Sequence, residues 1–127
     1  MAVIYGPPVR SARLAVVVAA IDAGSGPGVL EIGTAGMAII LATLTCSKPC
    51  GTVAGDMLTF APITQDVADA NGNAALARYK DSDGNIIVSG LTVGTSGTNI
   101  IVGSVSITVG QVVPMTSASL SHNTTGV

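Results

Sequence analysis

From Gly24 onward the chain is cut into short apolar runs by turn residues, and that punctuation limits what it can fold into. The cuts read "GSGPG", "NGN", "DSDG" and "GTSG". Runs this short cannot make long helices, whereas strands joined by Gly, Asn and Asp turns fit them. One longer uninterrupted segment, Arg10 to Asp22, comes first and reads as the single helix, with Ser11 placed to cap it. It is apolar nearly all round, which predicts burial. Its Val16-Val17-Val18 run lowers helix propensity and leaves a buried strand as the competing reading.

Before the helix, Met1 to Val9 reads as an extended, sticky arm. Pro7 and Pro8 argue against helix there, and Val3, Ile4 and Tyr5 give it apolar character. After the helix, strands are expected at Val29 to Ile32, Met37 to Thr45 and Asp56 to Ala61. Ala74 to Lys80 and Asn85 to Val93 should form a hairpin around "DSDG". Ser104 to Val109 alternates strictly, with Val105, Ile107 and Val109 on one side. Gln111 to Leu120 should be the last strand, followed by a polar tail over 121–127. The segment "TQDVADANGN" reads as a polar loop. The expected fold is one mainly β domain over 1–127, an antiparallel sandwich or small barrel with one short N-terminal helix and an extended arm.

Charge narrows the function. Only 9% of residues are charged, against 48% hydrophobic, and the net charge is -2. Arg10, Arg13, Lys48, Arg78 and Lys80 form no run, so a phosphate-neutralising stripe is not expected. Tyr5, Phe60 and Tyr79 are the only aromatics, too few for a base-stacking platform. The longest apolar run, Leu14 to Ile21, is far short of the about 20 residues of a membrane span. It also makes a poor secretory signal, because Asp22 falls where small cleavage-site residues belong. So little charge leaves few groups to hold neighbouring proteins apart, and much of the surface is expected to meet protein.

The lookalikes for chemistry fail on spacing. "GSGPG" resembles a phosphate cradle, but a cradle precedes a helix, at its positive end. Here the loop follows the helix and no Lys-Ser or Lys-Thr comes after it. Gly24 instead suits a left-handed residue closing the helix, with Gly26, Pro27 and Gly28 turning the chain into a strand. "DSDGN", Asp81 to Asn85, has its glycine fourth rather than sixth and Thr92 at the twelfth place, so it is no calcium loop. His122 stands alone in the tail without a triad. Asp66, Asp69 and Glu31 could pair for acid–base work, yet nothing distinguishes them from solvated acids. "NTT" at Asn123 matches a glycosylation acceptor without a secretion signal. Cys46 and Cys50, in "CSKPC", are too few for zinc. They read as small apolar residues in a reducing compartment, a local disulfide being the alternative. No catalytic set, cofactor or metal is expected.

Three segments in order, "AIDAGSGPGVLEI", "ALARYKDSDGNIIVSGLTVGTSGTNI" and "VSITVG", resemble a family of small bacteriophage virion-associated proteins, over about Arg10 to Gly110. The family carries a Tyr-Thr-Gly turn where this chain has Gly33-Thr34-Ala35-Gly36. The resemblance implies a non-enzymatic phage structural protein with a short N-terminal helix and a β body. Within a virion the expected role is capsid decoration, or cement, on the capsid surface, assembled in the bacterial host cytoplasm. The expected partners are the major capsid protein and copies of itself, as a trimer or dimer, with no nucleic acid, membrane or small-molecule substrate. A tail component (tail tube, terminator or fibre-associated subunit) is the alternative. The expected contacts are Val3, Ile4, Tyr5, Pro7 and Pro8, then Val113, Pro114 and Met115. An enzyme with a carboxylate pair and a secreted adhesin-like module are the readings from other classes.

Overall fold

The computed structural model describes residues 5–61, 66–113 and 115–121. The chain begins with one helix, α1 (Pro7–Asp22), followed by β1 (Val29–Gly33), a 3-10 turn (Ala35–Met37), β2 (Ile40–Thr45), β3 (Gly51–Ala54) and β4 (Met57–Phe60). Next come β5 (Asp66–Val67), β6 (Gly72–Asn73), β7 (Leu76–Lys80), β8 (Ile86–Gly94) and β9 (Ile100–Val102). The last strands are β10 (Ser106–Ile107), β11 (Val112–Val113) and β12 (Met115–Ser121). The protein is thus mainly β with one helix near its N-terminus.

Eight strands form one sheet in the order β2-β1-β7-β8-β9-β12-β4-β3. The sheet curls into a half-barrel. Alternation along β1 and β7 turns Leu30, Ile32, Ala77 and Tyr79 into the core, while Glu31 and Arg78 pair on the opposite face. Tyr79 of β7 stacks on Phe60 of β4, with centroids 4.1 Å apart and planes 14° from parallel. These strands lie four places apart in the sheet order, so the contact spans the hollow of the curl.

Neighbouring strands run antiparallel except β8 and β9, where Val93 lies beside Ile100 and Gly94 beside Ile101 in parallel. Thr92 and Asn99 support this tight excursion. The Thr92 N–H and hydroxyl both donate to Asn99 Oδ1, and the Asn99 N–H donates back to Thr92 Oγ1.

Several sequence expectations need correction. The helix starts at Pro7, not Arg10, so Pro7 to Val9 belong to it and not to an arm. Gly6 is the N-cap, and Pro7 and Pro8 take the first helical positions, where a missing N–H costs nothing and the fixed φ suits the helix. Ser11 therefore caps nothing; its hydroxyl donates to Gly55 O at 2.6 Å. The helix is not enclosed either: Leu14 and Ile21 are buried, but Val9 is 47% and Val16 66% exposed. One side packs on the sheet and, among the described residues, nothing packs over the other.

Ser104 to Val109 is not a long strand. Only Ser106 and Ile107 pair, with Asn73 and Gly72. Val109 is exposed because the chain turns there: the Gln111 N–H donates to Thr108 O and the Thr108 N–H to Gln111 Oε1. The last expected strand divides into β11, paired with β5, and β12, in the large sheet. Two pieces of the expected polar loop are strands: β5 pairs with β11 and β6 with β10. The second expected strand starts at Ile40 because Gly36 and Met37 both take positive φ. β3 corresponds to no expected element. The hairpin of β7 and β8, β1 and β4 lie within a residue or two of expectation.

Candidate functional site

The outer face of α1 is the first candidate. The helix is fastened at both ends to the β3 region. Near its start Arg10 grips Asp56 with two contacts, Nε to Oδ1 at 2.5 Å and a terminal guanidinium nitrogen to Oδ2 at 3.0 Å. At its end the Asp22 carboxylate accepts from the Cys50 N–H at 3.1 Å. These ties fix which side looks inward. Leu14 and Ile21 fill that side, with Val17 and Val18 half-buried beside them. Val9, Ala12, Ala15, Val16 and Ala19 look outward and are exposed. Their three-, four- and seven-residue spacings gather them on one stripe. Arg13 is the one charge on the exposed side, and its guanidinium lies over the Tyr5 ring, 4.3 Å from the centroid. A scattered exposed valine is ordinary, but a continuous apolar stripe is the kind of surface that meets another protein.

The five basic side chains all make contacts inside the molecule. Arg10 pairs with Asp56, and also donates to the Tyr5 carbonyl. Arg13 stacks on Tyr5, and the Lys48 ammonium donates to Gly24 O at 3.2 Å. Arg78 and Lys80 converge on Glu31 at 2.6 Å and 3.3 Å. Burial alone would raise the Glu31 pKa, but hydrogen bonds and charge from Arg78 and Lys80 outweigh it and hold the carboxyl below its ordinary value.

Among the sequence candidates, Tyr5 is partly exposed, though its ring and carbonyl are engaged by Arg13 and Arg10. Pro7 and Pro8 are exposed at the helix start. Met115 is half-buried on β12. Val113 is 2% exposed and belongs to the chain's own core, so it offers no contact surface. Val3, Ile4, Pro114, His122 and Asn123 lie outside the described residues. Asp81 closes the β7–β8 turn. Its carboxylate accepts from the Asp83 and Asn85 N–H groups and the Asn85 side chain, and the Asn85 bonds lead in holding its pKa down. Glu31 serves the ion triad rather than a carboxylate pair. No group of three metal-ligating side chains occurs among the described residues.

The second candidate is a buried cluster in the core of the half-barrel. Cys46, Cys50 and Tyr79 are all buried, and the cysteines are free. Burial, then Cys50 and Asp22, pushes the Cys46 thiol up to about 12. Burial, then Asp22, pushes Cys50 to about 12 as well. Thiols this reluctant to ionise are poor nucleophiles at neutral pH. Among the described residues the Tyr79 hydroxyl has no hydrogen-bond partner, and burial drives its pKa upward too. Sequence reading had the cysteines but not Tyr79, which carries no motif; its inward place on alternating β7 was the available signal.

Comparison with known protein families, curated proteins and solved structures returned no match.

Proposed function

We propose that the chain is a non-enzymatic structural protein of a bacteriophage virion, and within it a capsid decoration protein that binds and stabilises the shell of the major capsid protein. The observation that carries the reading is the exposed apolar face of α1, held out from the half-barrel by Arg10–Asp56 and Asp22–Cys50. A face whose one charge, Arg13, lies over the Tyr5 ring fits a protein partner rather than a phosphate backbone. The ordered resemblance of three segments to phage virion proteins supports the setting. Self-association as a dimer or trimer belongs to the same proposal.

Quantitative mass spectrometry of purified phage particles is the direct test. A copy number near that of the major shell protein is expected. A far smaller number would move the protein to a tail tube, terminator or fibre position, and absence would overturn the virion reading. For the surface itself, Val16→Glu should abolish attachment to capsids while shifting stability by no more than about 0.5 kcal/mol, since Val16 is exposed. Attachment that survives Val16→Glu but is lost on deleting residues 1–4 would transfer the contact to the N-terminal segment.

A further inference from the structure

Cys46 and Cys50 occupy a special place in the topology. β2 and β3 are the two outermost strands of the eight-stranded sheet, yet they are consecutive in the chain. The residues that join them run from Cys46 to Cys50. The Cys46 N–H donates to Gly28 O at 2.9 Å, just before β1. The Cys50 carbonyl accepts from the Ala61 N–H at 2.8 Å, just after β4. Only Ser47, Lys48 and Pro49, all exposed, cross from one outermost strand to the other. Both cysteine side chains turn inward, 6% and 2% exposed. Ionisation of Cys50 would oppose that of Cys46, and ionisation of either would oppose that of Tyr79, whose hydroxyl has no hydrogen-bond partner among the described residues. Asp22 holds the Cys50 N–H, and Lys48 anchors the crossing to Gly24 O.

We propose that Cys46 and Cys50 are a dormant covalent seam whose disulfide would tighten the link between the two outermost strands of the half-barrel. A disulfide requires a short Cα separation; Cys46 and Cys50 stand at the two ends of a crossing of three residues, and both are buried in the same core. The oxidant is a low-molecular-weight disulfide such as oxidised glutathione. One cysteine thiolate attacks it, forms a mixed disulfide and releases a glutathione thiolate. The second cysteine thiolate attacks the protein sulfur of that mixed disulfide and releases the other glutathione. The two protons lost from the cysteines end on the two glutathiones, so two thiols and one disulfide become one disulfide and two thiols. The high thiol pKa values and the burial make the reaction slow at neutral pH, and the exposed Ser47–Pro49 crossing has to swing out first. The seam therefore stays open in a reducing compartment and closes after release from it. This inference does not depend on the virion reading.

The test uses the folded full chain, incubated with oxidised glutathione at about pH 8.5, near the ordinary thiol pKa. The expected product has lost two hydrogen atoms, carries no glutathione and resists alkylation. Its Tm should rise by about 5 °C or more, as a short closed loop in a small domain implies. Backbone amides of β2 and β3 should exchange more slowly together. A stable glutathione adduct on either cysteine, failure to lose the two hydrogens, or a disulfide that leaves β2 and β3 exchange unchanged would each overturn the proposal. Cys50→Ala should show no such protection after the same treatment; protection in that variant would count against the seam.

Discussion

At Tyr79 the chain packs an aromatic ring on Phe60, surrounds it with Cys46, Cys50 and Leu30, and pairs β7 along both of its edges. At Ile107 a buried side chain hangs on a ladder two residues long, with Gly72 and Asn73 as partners. β11 and β5 repeat that arrangement beside it. The second region is joined to the first through the Asp69 N–H on Leu41 O of edge strand β2 and the Ala74 N–H on Val105 O. Both regions bury apolar side chains in one core. They differ in backbone support: long paired strands on one side, isolated pairs and turn contacts on the other. Burial alone therefore does not decide which part of a β protein opens first; the length of the ladder behind it does.

The sharpest way to break this comparison is Tyr79→Ala. Removing the ring empties the centre of the half-barrel and should cost about 3–5 kcal/mol in denaturant unfolding. Ile107→Ala should cost less, about 2 kcal/mol, because the short-laddered lobe can collapse around the loss. Hydrogen exchange should show amides of residues 104–113 opening well before those of β1, β7 and β8; equal protection in both would erase the distinction.

Proton titration separates the carboxylates from the thiols. Glu31 and Asp81 have folded pKa values below their ordinary ones. Their stabilisation is present above the ordinary carboxylate range and is lost as pH falls through and below about 4. Cys46 and Cys50 act in the opposite sense. Their folded pKa values, about 12, lie above the ordinary 9.0, so their contribution is complete below 9.0 and is lost as pH rises toward 12. Unfolding measured across pH should show both limbs. Glu31→Gln should flatten the acid limb and Cys46→Ala the alkaline one. The smallest effect is expected from Tyr79→Phe. It removes a hydroxyl that bonds to nothing among the described residues and keeps the stacked ring, so stability should stay within about 1 kcal/mol or rise.

The readable parts of the fold were those in which local signals agreed. "DSDGN" between two apolar runs gave the β7–β8 hairpin, because Asp81 and Asn85 build that turn from their own side chains. Gly24 does take positive φ after the helix. Ser104 to Val109 had the strongest alternation yet makes two ladder residues, since Gly110 and Gln111 turn the chain before a strand can extend. Alternation reports a half-buried surface, not the presence of a pairing strand. Pro7 and Pro8 misled in another way: proline breaks a helix interior but suits its first turn. The candidate surface was legible only in part. An all-apolar helix predicted burial, and the sequence had no sign that the half-barrel would leave one side of α1 uncovered.

The strand order has a consequence for biosynthesis. In the large sheet, the hairpin of β3 and β4 is bonded to the remaining strands only through β12, among the last residues described. As the chain leaves the ribosome, β1, β2, β7 and β8 can assemble early, while the β3–β4 hairpin waits without a sheet neighbour. Residues 115–121 then join the two pieces at once, pairing with β9 on one edge and β4 on the other. Completion of the sheet waits for residues 115–121, and a nascent chain stalled before Met115 holds two unjoined pieces of a sheet.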